Sequence, residues 1–261
     1  MPTPRWELFA AVAILVALAL VVLSRATARV VTGDDGPRSS EGGAVPAEDI
    51  SEPAVGVEST ATEPARPAPP IPTGVALLAN VALTHGLLGV VVLVLAWYAE
   101  LPWAALGLGP VSASTVGLGL ALGVGLYAAS EAGAAVADRL GVEYDERLRE
   151  LLAPGSPGEW ALMLLVILPI VAGAEELLFR GALIGALAFG IDLPVALLVV
   201  GSSILFGAGH SAQGGLGVAA TAAMGLVLGA AFVVTGSLAV VVVAHYAVNA
   251  LEFVVEEGIS D

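Results

Sequence analysis

The 261-residue chain has no cysteine and no lysine, only three histidines, and charged side chains make up just 13% of it. The missing cysteine excludes a disulfide framework, thiolate catalysis and any cysteine-ligated metal. The missing lysine leaves nine arginines as the whole basic complement against 24 acids, for a net charge of −15. No basic patch exists, so nucleic acid is excluded as a partner. Acidic, lysine-free composition is similar to that of proteins from extreme halophiles, where carboxylates keep a hydrated surface in strong salt. What remains is apolar: 57% of residues are hydrophobic, and the mean hydropathy is +0.93. Those values fall far outside the range of a soluble domain and predict an all-α, polytopic transmembrane helical bundle of about seven spans, the first an N-terminal anchor.

Three regions follow from composition. Residues 1–31 hold a 16-residue apolar run, Leu8 to Leu23, flanked by Arg5 and Glu7 before it and by Arg25 and Arg29 after it. A small-x-small pattern at Ala26-Thr27-Ala28 permits a signal peptide, but Arg25 disfavours cleavage, and an uncleaved anchor is the preferred reading. Residues 32–73 carry eight of the sixteen prolines, eight acids and two arginines. With almost no large apolar side chains, this stretch is predicted to be an extended, disordered linker. Residues 74–258 form the hydrophobic body, with spans expected near 74–98, 112–130, 160–188, 193–210, 215–235 and 237–255, each about long enough to cross roughly 30 Å of hydrocarbon. Small residues at spacing four, Gly119/Gly123, Gly181/Gly185 and Gly225/Gly229, suit close helix packing. Between the second and third of these spans, residues 131–159 read as a solvated or interfacial helix with charges of alternating sign. The 99–111 loop has no basic residue, so Arg139, Arg147 and Arg149 with the Arg25/Arg29 pair put the linker, the 131–159 segment and the C-terminus in the cytoplasm.

Polar residues inside these spans are few. Glu175, Glu176 and Arg180 sit in the apolar run from Trp160 to Phe189. Each ionised group would cost about 2.5–3.5 kcal/mol at a bilayer centre if uncompensated. Glu176 and Arg180 are spaced i,i+4 with the acid N-terminal, the favourable orientation for an ion pair. Glu175 lies about 100° round the helix and is left for another role. Phe206 and His210 are spaced i,i+4 at the end of one span, and His245 and Asn249 likewise in the last. By helical rise, Glu175 lies about 22 Å in from the cytoplasmic start of its helix, His210 about 25 Å and Asn249 about 18 Å from the opposite side. All could converge on one cavity. A carboxylate with a histidine can hold and deprotonate water, and a second histidine with an amide N–H can stabilise an oxyanion. Glu175, His210 and His245 are also compatible with a divalent metal such as zinc. His85, alone in its span, reads as a packed structural histidine.

The three motifs, E-E-x-x-x-R (Glu175, Glu176, Arg180), F-x-x-x-H (Phe206, His210) and H-x-x-x-N (His245, Asn249), resemble in order those of the CPBP family, the CAAX protease and bacteriocin-processing intramembrane proteases also called Abi. The resemblance covers roughly residues 75–255. It implies a multi-pass cell-membrane endopeptidase related to the type II CAAX prenyl endopeptidases. Glu175 would be the general base, assisted by His210. His245 and Asn249 would form the oxyanion site, Glu176 would pair with Arg180 and hold Glu175 in place, and Phe206 would pack or face substrate. A metal-free mechanism is favoured, because Asn249 is a poor zinc ligand and a good oxyanion donor, and no cofactor is expected. Partners implied are membrane lipid and a peptide or protein substrate, of which a C-terminal or prenylated one is the family archetype. H-E-x-x-H is absent, so zincin-type chemistry is excluded. Tyr144-Asp145 has no G-x-G-D partner, and Ser211, directly after His210, is not read as a nucleophile. The competing readings are a non-catalytic scaffold or bacteriocin-immunity-type factor on the same fold and a transporter, which would be expected to show inverted repeats.

Overall fold

The computed structural model describes residues 4–32, 74–141 and 152–258. The expected linker from residue 33 onward, and Arg147 and Arg149 of the expected interfacial helix, lie outside the described residues. Those described form seven helices: α1 (Trp6–Thr32), α2 (Gly74–Tyr98), α3 (Ala113–Arg139), α4 (Pro157–Gly190), α5 (Val195–Gly209), α6 (Gly214–Thr235) and α7 (Leu238–Glu256), with short 3₁₀ turns at Trp103–Leu106 and Ser211–Gln213. No strand occurs among the described residues. Six helices are long and apolar enough to cross a membrane, and α5, at 15 residues, is shorter. The chain is a multi-pass membrane protein.

Helix starts follow local chemistry. Ser112 and Thr115 form a capping box at α3, Ser156 accepts from the Glu159 amide with Pro157 at the first turn of α4, and Ser237 accepts from the Val240 amide at α7. Each satisfies an amide that the helix leaves without a partner. Two findings depart from the expected spans. Helix α3 continues to Arg139, so the start of the expected interfacial segment is the end of this helix. Helix α4 is not uniformly α: Met163–Ile167 and Leu177–Ala186 are π-helical. The first π turn ends two residues before Pro169, whose missing amide and ring bulk disrupt the regular i→i−4 ladder.

Helix α4 is the axis of the bundle. Helix α2 packs along its first half, α7 crosses it at the two glutamates, and α1 and α5 cover its second half. Phe9, Ala13 and Ala17 of α1 are fully buried in the same core as Phe179, Ile184, Phe206 and Leu228. The Ser24 hydroxyl donates to the Gly209 carbonyl, which ties the end of α1 to the end of α5.

In lipid, helices associate through close packing and polar contacts, since lipid tails are as apolar as leucine. All three glycine pairs serve that purpose. A Cβ on Gly119 would lie 2.7 Å from the Val240 carbonyl oxygen and one on Gly123 would lie 2.6 Å from that of Ala244, so α3 rests on the backbone of α7. Gly181 and Gly185 face the Leu106 and Ala105 carbonyls, and Gly225 and Gly229 face Ser203 and Val199 of α5. The large exposed residues, among them Leu83, Leu87, Val94, Leu165, Leu197 and Ile204, lie on the outer faces of these helices, where lipid takes the place of water.

Candidate active site

The polar residues of α2, α4, α5 and α7 meet halfway along α4. Glu175 and Glu176 close the α-helical stretch Leu168–Glu176, just before the second π segment. Glu176 is completely buried and Glu175 nearly so. The adjacent carboxylates share His245 and otherwise face different partners. Oε1 of Glu176 receives Nη1 of Arg180 at 2.7 Å and Nδ1 of His245 at 2.8 Å. Arg180, itself buried, also donates through Nη2 to the Gly225 carbonyl at 3.3 Å and lies over the Phe206 ring, 4.4 Å from its centre. A buried guanidinium is stable only with such a shell of charge and acceptors. The ion pair thus links α4 to α6 and α7.

Glu175 has other neighbours. Its Oε1 lies 3.1 Å from Nε2 of His85, on α2, and its Oε2 lies 3.7 Å from Nε2 of His245. Oε2 is buried and has no hydrogen-bond partner among the described residues. His210 caps α5. Its Nδ1 is 2.8 Å from the Phe206 carbonyl, and its ring meets the Phe206 ring edge-on at 4.8 Å. Its hydrogen bond runs within its own helix end rather than to Glu175.

Tautomers follow from these partners. A carbonyl or carboxylate only accepts here, so Nδ1 of His210 and Nδ1 of His245 carry hydrogens. With neutral rings, Nε2 of each is left as an acceptor. Phe206 is fully buried and holds the pieces apart: its ring contacts Phe179, Arg180, His210 and His245. Asn249 lies one turn beyond His245 on α7, half-buried, and its side chain makes no hydrogen bond among the described residues.

Of the residues singled out from sequence, Glu175, Glu176, Arg180, Phe206 and His245 therefore share one buried cluster, with half-buried His210 against Phe206 and half-buried Asn249 one turn beyond His245. Among the described residues no group of three or more His, Asp or Glu is arranged to hold a metal ion, Glu175, His210 and His245 included. The residue that sequence reasoning leaves out is His85. It is not merely packed against apolar neighbours, because its ring reaches Glu175. Two signals point to it: it is one of only three histidines in the chain, and an ionisable side chain in an apolar span is a functional candidate by default. All three histidines of the protein come to the same place. Beside His85, a groove between α2 and α4, lined by Ala82, Gly86, Leu87, Ile167 and Ile170, opens to the lipid-facing surface.

The bundle thus encloses paired glutamates and imidazoles about halfway along α4. Residues 157–251 match the family model described as type II CAAX prenyl endopeptidase Rce1-like. That segment runs from the start of α4 into α7 and contains all three motifs, in agreement with the CPBP resemblance. No curated protein and no solved structure matches the chain.

Proposed function

We propose that the chain is an intramembrane endopeptidase in which Glu175 is the general base that activates water. The observation that carries this reading is the asymmetry of Glu175. One carboxylate oxygen is held by His85, while the other is buried, unpartnered among the described residues and turned toward Nε2 of His245. A carboxylate so placed can accept a proton from a water directed at a peptide carbonyl. Nε2 of His210, made an acceptor by the Phe206 carbonyl at Nδ1, is a second site able to orient or receive that proton.

Attack of the water on the carbonyl carbon forms a tetrahedral intermediate with negative charge on oxygen. In this mechanism that charge is met by the Asn249 amide N–H and by Nε2–H of His245. His245 donates there only with both ring nitrogens protonated, and the Glu176 carboxylate at Nδ1 is the counter-charge for that state. The proton taken from water passes to the leaving amine as the C–N bond breaks, giving a carboxylic acid and an amine. Glu176, whose Oε1 is engaged by both Arg180 and His245 while its Oε2 is buried and unpartnered among the described residues, serves as the frame rather than the base. The substrate is a membrane-proximal peptide or protein segment, with a C-terminal or prenylated peptide as the family archetype.

The test is cleavage of a quenched-fluorescence peptide library by purified protein in proteoliposomes. Glu175→Gln and His210→Ala are each expected to lower turnover by about 10²- to 10⁴-fold, the usual contribution of a positioned acid or base. Cleavage at the parental rate by Glu175→Gln overturns the proposal.

A further inference from the structure

We infer that His85 is a positioning residue of this site, supplied by a helix outside the 157–251 segment, and that it determines which oxygen of Glu175 is free to meet water. The inference rests on the function proposed above and deepens it.

The geometry is a two-point clamp. Nδ1 of His85 is 2.8 Å from the carbonyl oxygen of Val81, one turn back on α2, and Nε2 is 3.1 Å from Oε1 of Glu175. The carbonyl only accepts, so Nδ1 carries a hydrogen. With Glu175 as the carboxylate base, the hydrogen at the other end is also on the ring, so His85 is an imidazolium whose Nε2–H donates to Oε1. With both ring nitrogens engaged, the imidazole plane is fixed, and so is the oxygen it holds. The Glu175 carboxylate would otherwise be free to turn about its last torsion, a broad and nearly two-fold rotor. Gripping Oε1 directs Oε2 toward His245. The clamp is itself braced, because α2 comes unusually close to α4 at this level. A Cβ on Gly86 would sit 3.2 Å from Ile170 and one on Gly89 3.3 Å from Ala174, the residue preceding Glu175. Of the imidazoles paired with Glu175, His85 is also the more accessible, 16% exposed against 2% for His245. Its chain neighbours Gly86 and Leu87 line the α2–α4 groove.

The experiment compares His85→Leu, His85→Gln and Glu175→Gln in proteoliposomes with the same peptide library, alongside thermal unfolding of each variant. Residues that orient the ligands of a metal site typically contribute roughly 10- to 100-fold, and a clamp on a catalytic carboxylate is expected to act on the same scale. His85→Leu, which keeps the bulk but not the clamp, is expected to lower kcat by about that factor while KM stays within about twofold. His85→Gln, whose amide can still donate to Oε1, is expected to recover part of the loss, which a merely space-filling role would not predict. An activity-independent readout is the infrared carboxylate stretch of Glu175, assigned by its disappearance in Glu175→Gln, which is expected to shift in His85→Leu and less in His85→Gln. If His85→Leu turns over like the parent and leaves the band unmoved while Glu175→Gln is inactive, this inference fails and the proposed function stands. If Glu175→Gln itself cleaves like the parent, the proposed function fails, and the inference with it.

Discussion

The two halves of this bundle divide their contributions unequally. Helices α4 to α7 bring both glutamates, the arginine, two of the three histidines and the asparagine of the cluster. Helices α1 to α3 bring one imidazole and a great deal of surface: α1 seals α5, α3 lies on α7, and α2 lies on α4. The α4–α7 half bears the motifs and matches a known peptidase family; the α1–α3 half is its enclosure. Charge in a membrane interior is tolerable only where protein surrounds it, so the chemistry of one half depends on the packing of the other.

That division can be tested from both sides. The largest effect is expected within the motif-bearing half, from Glu176→Leu. It leaves Arg180 and Nδ1 of His245 without their shared acceptor in a dry interior, and breaking such a buried pair costs about 3–5 kcal/mol. Thermal unfolding in detergent should fall by roughly 10 °C or more, at about 2–4 °C per kcal/mol. An unchanged midpoint would mean that the ion pair does not hold the helices together.

Phe206→Ala probes the same half without touching a charge. Removing a buried phenylalanine that contacts Arg180 and two histidines should cost about 3–5 kcal/mol in stability, with cleavage lost in parallel. Retained activity in a destabilised protein would reduce Phe206 to filler.

The enclosing half is tested by Gly123→Val on α3. The added side chain meets the Ala244 carbonyl, one residue before His245, and over-packing of this kind costs about 1–3 kcal/mol. Cleavage is expected to fall more than stability does, because the displaced element carries His245. Equal losses would argue that α3 is only a seal.

Smallest is Ser24→Ala, which deletes the hydrogen bond from α1 to Gly209, just before His210. A single hydrogen bond contributes about 0.5–1.5 kcal/mol, so a modest drop in unfolding temperature is expected. A drop in kcat beyond that would show that α1 helps to place His210.

Much of this architecture is legible in the amino-acid sequence alone. Long apolar runs interrupted by glycine and proline mark the spans, because a lipid-embedded backbone has almost no alternative to helix. Glu176 and Arg180 are legible as a pair, because i,i+4 contact is local and depends on one helix only. The π geometry of Leu177–Ala186 is not. Nothing in L-L-F-R-G-A-L-I-G-A separates a π turn from an α turn.

What the sequence determined by itself was the inventory: an all-helical membrane protein with a handful of ionisable groups that have to be gathered somewhere, since none is stable alone in hydrocarbon. What only the tertiary structure decided was who meets whom. His85 and Glu175 lie on different helices, far apart in the chain, and no periodicity within either helix specifies that α2 will rest against α4 at that level. The register is set by glycines that let two backbones approach, and by complementary shapes on surfaces that belong to different helices.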